Sequence, residues 1–174
     1  MEYEFTLKFK LDTKDANHDE LVARLGAAGC TDALVGLGVA GHLGLEFVRE
    51  AGSAEEAILS AMADVKGAIP SAKLVEVGPD FVGLTDVADL VGVSRQNMRK
   101  LMVTHAEDFP APVHTGSSSV WHLALILEFM SGRQYQLAQA MVDVARTAMR
   151  VNITKEAALV SPLSLTDSRY ALAA

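Results

Sequence analysis

One segment in the second half of the chain constrains its fold most, because it predicts two short helices joined by a tight turn. Thr85 and Ser94 have side chains that cap helix N-termini, and they predict helices over 86–91 and 95–105. Gly92 lies between the two helices, where the absence of a Cβ allows the turn. The apolar residues are spaced as two crossed, packed helices require, and they are Val87, Ala88, Val91, Val93, Met98 and Leu101.

The outward face of the second predicted helix is polar and basic. With Met98 and Leu101 facing inward, the side chains left outside are Arg95, Gln96, Asn97, Arg99 and Lys100. Amides can pair with adenine and guanidinium groups with guanine, both through two hydrogen bonds, whereas a lysine suits phosphate. This face favours a helix that reads base edges in duplex DNA. The alternative is a solvated helical hairpin with ordinary surface charges.

The residues after the two helices predict a β-hairpin and a third helix. The stretch 109–113 contains Pro110 and Pro112, which stop the helix and extend the chain, since proline cannot continue a helix. His114–Ser119 then predicts a turn. A returning strand at Val120-Trp121 and a helix over His122–Met130 complete the pattern.

With this hairpin, residues 83–130 resemble the winged helix-turn-helix of phage and prophage regulators of the AlpA and excisionase type, which are related to the MerR-type DNA-binding domain. In that family the second helix enters the major groove and the wing lies on the adjacent backbone. The resemblance implies that Ser94–Lys100 form the recognition segment and His114–Ser119 the wing tip. The tip has no Arg or Lys, so hydroxyl groups and a histidine would contact phosphates. The expected DNA-binding residues are Thr85, Ser94, Arg95, Gln96, Asn97, Arg99, Lys100, His114, Ser117, Ser118 and Ser119.

The first half of the chain predicts the element order β-α-β-β-α-β. Residues 2–11 alternate strictly between polar and apolar, as in a strand with one buried face. Asn17 and Ser53 each precede a glutamate by three residues, which is the spacing of a capping box at a helix start. The other predicted strands are 33–39, 42–49 and 73–77. The fold class is therefore α+β, with a ferredoxin-like sandwich of helices on an antiparallel sheet at the N-terminus.

A glycine-rich motif in this half, Gly36-Leu-Gly38-Val-Ala-Gly41, matches the G-x-G-x-x-G pattern. The dinucleotide fingerprint requires a helix directly after it, but the residues from His42 onward alternate like a strand. We therefore interpret the motif as a hairpin and expect no nucleotide cofactor. Its glycines could leave a sheet face bare enough for a partner or small ligand, although a hairpin packed by the helices is the alternative.

Charge is distributed unevenly along the chain, whose formal net charge is −7. Residues 1–80 hold 14 acidic and 7 basic residues, so this half accounts for the whole excess. It should face away from DNA, and non-specific affinity should be weak because few phosphates are neutralised. Useful affinity would need a dimer or several base contacts per site.

The sequence carries no pattern of catalytic or metal-binding residues, so we expect neither an enzyme nor a metal or cofactor site. The five histidines lack paired ligand spacing, and no G-x-S-x-G, P-loop or H-E-x-x-H motif occurs. His114 and His122 flank the hairpin, where surface or backbone-contact roles are expected. One cysteine, Cys30, excludes an internal disulfide. Together with the absence of an apolar span or leader pattern, it predicts a cytoplasmic protein.

The C-terminal part carries a helical apolar stripe over 133–150 and predicts a second short helix near 154–160. MerR-type readers often dimerise through a helix after the wing, so the resemblance implies a homodimer. The alternative is a helix that covers the core of its own chain. The last residues resemble the tail that bacterial tmRNA adds to stalled proteins, whose free end is gripped by the ClpX unfoldase. The residues of this degradation tail would be Leu172, Ala173 and Ala174.

The predicted organisation is an acidic ferredoxin-like domain (1–79), a winged helix-turn-helix (80–131), a helical dimerisation or packing segment (132–160) and a flexible tail (161–174). This organisation predicts a sequence-specific transcriptional regulator that binds double-stranded DNA. One alternative is an antitoxin or adaptor that binds another protein through the N-terminal domain, with secondary autoregulatory DNA binding. The other is a recombination factor of the excisionase type.

Overall fold

The computed structural model describes residues 1–12, 17–133 and 135–160, which fold into the mixed α+β structure that the sequence predicts. The first half contains β1 (Glu2–Lys10), α1 (His18–Ala27), β2 (Ala33–Gly36), β3 (His42–Glu50), α2 (Ala54–Ala68) and β4 (Lys73–Gly78). The second half contains β5 (Phe81–Val82), α3 (Leu84–Val91), α4 (Arg95–Thr104), β6 (His114–Thr115), β7 (Ser119–His122), α5 (Leu123–Ser131) and α6 (Gln139–Ala157).

The first four strands form one antiparallel sheet in the order β2-β3-β1-β4. One face of β1 is buried because its apolar residues alternate with polar ones, as predicted. Together with α1 and α2 this face forms a hydrophobic cluster, the first core. Asn17 and Ser53 cap the two helices, since their side chains accept hydrogen bonds from the N–H groups of Glu20 and Glu56.

A buried cation joins three parts of this half. Arg49, only 8% exposed, donates to both carboxylate oxygens of Asp32 at 2.7 and 3.0 Å. Its Nη1 donates to Asp64 at 2.8 Å and to Ser60 at 3.0 Å. The hydrogen bond from Arg49 lowers the pKa of the Asp32 carboxyl, whereas burial raises the pKa of the nearby Cys30 thiol. The cluster thereby ties β3 to α2 and to the loop before β2.

The G-x-G-x-x-G motif joins two strands, as predicted. β2 ends at Gly36, which is earlier than the sequence suggests, and β3 begins at His42. Gly41 has a φ of +73°, a left-handed conformation that favours glycine. A strand rather than a helix follows the motif, so it lacks the helix N-terminus of a dinucleotide site.

The second half of the chain packs around its own cluster, the second core. The strands of this half pair antiparallel in the order β5-β7-β6. The largest buried residues of the second core are Met98, Trp121, Leu123, Ile126, Leu127, Phe129 and Met130. Trp121 also donates from its indole nitrogen to the carbonyl of Pro110 at 2.9 Å, which fastens the hairpin to the segment after α4.

Helix α6 packs on both cores. Val144 and Ala148 belong to the first core, and Val142 and Ala145 belong to the second. The apolar stripe of this segment, which the sequence analysis assigns to dimerisation, therefore packs within its own chain. This is the alternative in which the helix covers the core of its own chain.

The predicted bounds of this helical segment are wrong at both ends. The helix begins at Gln139 instead of 133, and the residues before it pack on the second core in a non-helical conformation through Tyr135 and Leu137. It then runs unbroken to Ala157, because no proline or glycine lies between Arg150 and Ala157 to end it. There is accordingly no separate short helix at 154–160.

Helix α6 also covers the outer edge of β4. The side chain of Asn152 accepts a hydrogen bond from the N–H of Val77 at 2.9 Å and donates one to its carbonyl at 2.8 Å. Lys155 donates to the carbonyl of Val75 at 2.6 Å. The amide of Asn152 therefore takes the place that the peptide of a fifth strand would occupy.

The tail proposed for degradation, Leu172, Ala173 and Ala174, lies outside the described residues. Among the residues that the structure does describe, no helix combines the length and the apolar character that crossing a membrane requires.

Candidate nucleic-acid interface

Helices α3 and α4, here called the helix pair, are joined by a left-handed turn. Gly92 has φ 69° and ψ 32°, and the N–H of Val93 donates to the carbonyl of Ala88 at 2.9 Å. Val87 and Ala88 of α3 and Met98 of α4 are buried in the second core. The turn glycine and the small residue of α3 thus lie where the sequence places them.

The predicted cap of the first helix is wrong. Helix α3 begins at Leu84, and Thr85 is an exposed residue inside its first turn. The carboxylate of Asp86 instead accepts a hydrogen bond from the N–H of Gly83 at 2.7 Å. The N-cap residue is therefore Gly83, which has no side chain to cap the helix, and Asp86 satisfies the N–H of Gly83 from the first turn, where the helix dipole favours a carboxylate.

The predicted cap of the second helix is confirmed. The hydroxyl of Ser94 accepts a hydrogen bond from the N–H of Asn97 at 3.1 Å. Met98 is 1% exposed and anchors α4 to the second core. The helix ends at Thr104, one residue before the predicted bound. Both its start and its rotation about its axis are therefore fixed by contacts within the chain.

The side of α4 that faces away from the core is polar over residues 95–100, whereas Val103 in the last turn is an exposed apolar residue. Its residues Arg95, Gln96, Asn97, Arg99 and Lys100 are all exposed. Within residues 1–12, 17–133 and 135–160, none of the three cations among them forms an ion pair. Their charges are available to an external anion, and the two amides beside them are equally accessible.

The predicted wing is a short hairpin in which β6 pairs with β7. His114, Ser117 and Ser118 are exposed, whereas Ser119 is half-buried and pairs with Thr115. A Cβ at Gly116 would lie 2.7 Å from Nε2 of His114, so glycine is required for the ring to lie over the turn. The tip offers hydroxyls and an imidazole, but no permanent positive charge.

Sequence reasoning missed a buried polar cluster at the junction of the two cores, here called the hub and formed by Asp80, His122 and Asn152. Asp80 is fully buried, and its Oδ1 lies 2.7 Å from Nδ1 of His122. Its Oδ2 accepts a hydrogen bond from Asn152 at 2.8 Å, and its carbonyl accepts one from the N–H of Leu123. His122 is therefore not the surface residue that the sequence suggests. The hub positions β7 and α5 against β4 and α6.

No short motif could have revealed the hub. Asp80 follows the predicted domain boundary at Gly78-Pro79, where an exposed linker residue is the natural interpretation. Its partners lie 42 and 72 residues away in sequence. A contact of this kind becomes visible only once the two cores are placed side by side.

We expect Ser94→Ala to lower the free energy of unfolding by about 1 kcal/mol, because the N–H of Asn97 loses its acceptor. Urea denaturation monitored by circular dichroism measures this change. Ser94→Asp keeps an oxygen acceptor and should restore most of the stability. Equal stability of the alanine variant and the wild type would show that the cap does not hold α4.

Chemically, the helix pair can bind an extended anion and discriminate hydrogen-bond patterns beside it. The guanidinium and ammonium groups of α4 attract phosphates, and its amides both donate and accept. Comparison of the chain with protein-family models, with curated proteins and with solved structures gives no match. The function of the helix pair is therefore inferred from its own residues and geometry.

Proposed function

We propose that this protein is a sequence-specific regulator that binds duplex DNA through α4. The observation that carries the proposal is the exposed polar face of α4, whose three cations have no ion-pair partner within the described residues. A helix that is anchored by Met98 and capped by Ser94 presents this face in one fixed orientation. Fixed donors and acceptors are what base recognition requires.

In the proposed complex α4 lies in the major groove. Arg95 or Arg99 would donate two hydrogen bonds to guanine, Gln96 or Asn97 would pair with adenine, and Lys100 would contact phosphate. The hairpin would lie along the neighbouring backbone and contact it through its hydroxyls and the ring of His114. The acidic first half would face away from the duplex, since its charge is repelled by phosphates.

The proposal also includes the fold family of each half of the chain and the oligomeric state. The strand order β2-β3-β1-β4 with α1 and α2 supports a ferredoxin-like arrangement. The helix pair, hairpin and α5 support a winged helix-turn-helix. A cytoplasmic homodimer would double the base contacts per site and offset the weak non-specific affinity of an acidic chain.

The test begins with the selection of binding sites from a random duplex library by the full chain. Affinity for the selected site is then measured by fluorescence anisotropy. Arg95→Ala and Arg99→Ala should each lower it about tenfold, because a two-hydrogen-bond contact with guanine contributes roughly 1–3 kcal/mol. Each variant should also relax the preference at one base position. Lys100→Ala should instead weaken binding to all DNA sequences similarly, and it should reduce the salt dependence of the binding constant by about one counterion.

Arg150→Ala is the matched control, since it removes an equally exposed positive charge from α6. It should leave affinity for the selected site nearly unchanged. The proposal is wrong if no sequence is enriched at low salt, or if Arg150→Ala weakens binding as much as Arg95→Ala does. Enrichment of tandem sites that the protein bends would favour the recombination factor.

A further inference from the structure

The two edges of the four-stranded sheet differ in how they are covered. At β4 the backbone is bonded by Asn152 and Lys155 of α6. At β2 the N–H of Val48 in β3 donates to the carbonyl of Asp32 just before the strand. Because hydrogen-bonded pairs alternate along an antiparallel ladder, the N–H and C=O groups of Ala33 and Val35 point away from β3. No hydrogen bond to these outward groups is found within the described residues.

The composition of this open edge is unusual for an unprotected strand. Residues 33–41 contain no charged residue and no proline. Leu34 is 70% exposed on the outer face. Natural edge strands are commonly protected by lysine, proline or a bulge, because unpaired backbone groups are a template for another strand. The unprotected edge therefore suits a strand from outside the chain.

The packing of the helices indicates that one flank of α1 faces the side of the sheet where the open edge lies. Helix α1 packs on α2, and α2 packs on α6, which lies at the β4 edge, so α1 lies toward β2. Arg24 reaches α2, where it donates from Nε to the carbonyl of Ala68 at 3.0 Å. Residues advance by about 100° each around a helix, so Val22 lies on the opposite flank, toward β2. Val22 is 47% exposed, and Gly26 follows it by one turn.

We propose that two copies of this chain associate by antiparallel pairing of β2 with β2, while the α1 flanks meet alongside. The occupant is a second copy because a two-fold axis places identical uncharged strands antiparallel, so that donors and acceptors meet on both sides. A stable interface buries roughly 1,200–2,000 Å² in total, more than a four-residue strand pair supplies, and the exposed Val22 on the α1 flank would add apolar contact beside it. This inference rests on the dimer of the proposed function and assigns the surface through which it forms. Its test needs no DNA.

The first experiment is sedimentation velocity of the DNA-free full chain over a concentration series. The wild type should form a dimer. Leu34→Lys should raise the dimer dissociation constant at least about tenfold, because it places like charges across the two-fold axis. Leu59→Lys is the matched control, since Leu59 is 46% exposed on α2, and it should not change the dimer. Circular dichroism melting establishes that both variants are folded.

The second experiment does not depend on a destabilising charge. Cys30 is buried, so Leu34→Cys adds the one accessible thiol of the described residues. A short bismaleimide should link Leu34→Cys into dimers and leave Leu59→Cys monomeric. A monomeric wild type at every concentration would overturn the proposal. So would a Leu34→Lys protein that dimerises as the wild type does, or linking of Leu59→Cys without linking of Leu34→Cys. Failure here leaves the DNA-binding measurement on Arg95 unaffected.

Discussion

Asn152→Ala is expected to lower the free energy of unfolding by roughly 3–5 kcal/mol, since it leaves three buried polar groups without a partner at about 1–3 kcal/mol each. The side chain is fully buried and makes three hydrogen bonds, two to the backbone of Val77 and one to Asp80. Alanine leaves an N–H, a C=O and one carboxylate oxygen buried without these partners. Each such group carries its own desolvation penalty.

Urea denaturation at neutral pH measures this change. Thr154→Ala is the matched control, because Thr154 lies two residues further along α6 and is exposed. It should change stability by less than about 0.5 kcal/mol. Asp80→Asn should be milder than Asn152→Ala, because the amide oxygen keeps an acceptor for Asn152. An Asn152→Ala protein as stable as the Thr154→Ala protein would contradict the role given to the hub.

Arg49→Ala is expected to lower the free energy of unfolding by about 3 kcal/mol at neutral pH. The guanidinium is buried and satisfies two carboxylates, Asp32 and Asp64, which would remain close together without a cation. Removing one partner of a buried ion pair typically costs roughly 3–5 kcal/mol, and the lower end applies here because both carboxylates are partly exposed. Arg49→Lys should recover part of the loss, since it restores the charge but not the two parallel hydrogen bonds.

The effect of Arg49→Ala should depend on pH. In the wild type the pKa of Asp32 is lowered by its hydrogen bond with Arg49, so the pair stabilises the fold fully above the carboxyl's unfolded pKa of about 3.9. This stabilisation is lost as pH falls through the lower folded pKa. The stability difference between wild type and Arg49→Ala should therefore shrink in acid. Urea titrations at about pH 7 and about pH 3 test this.

The exposed Arg146 provides the control for charge alone. Arg146→Ala should leave stability within about 0.5 kcal/mol of the wild type at both pH values. If Arg49→Ala costs no more than Arg146→Ala, or if its cost grows in acid, the ion cluster does not stabilise the fold as described.

Local signals in the sequence predicted much of this fold because their physical causes are local. The alternation of β1 defines its buried face, and serine and asparagine caps define where α1, α2 and α4 begin. The polar face of α4 follows from the inward position of Met98. The predicted cap of α3 was wrong because the helix begins two residues earlier than Thr85 implies, at Leu84, and its N-cap Gly83 carries no side chain that could mark the start in the sequence.

Features that depend on distant contacts could not be predicted. Tyr135 and Leu137 continue an apolar pattern that resembles helix, yet they pack on the second core outside α6. Asn152 binds the backbone of a residue 75 positions earlier. Asp80 and His122 are polar residues whose burial depends on the contact between the two cores. Such pairings follow from the tertiary arrangement and leave no periodicity in the chain.

The hydrogen bonds between α6 and the edge of β4 also determine how many copies of this chain could associate through their sheets. With the β4 edge covered by α6, the proposed pairing at β2 would stop at two chains, because the described sheet has no second open edge to offer a third copy. An additional open edge at β4 would let each added copy present a fresh edge to the next. Growth would then have no natural stop, so the bonds that hold α6 on β4 would also limit assembly.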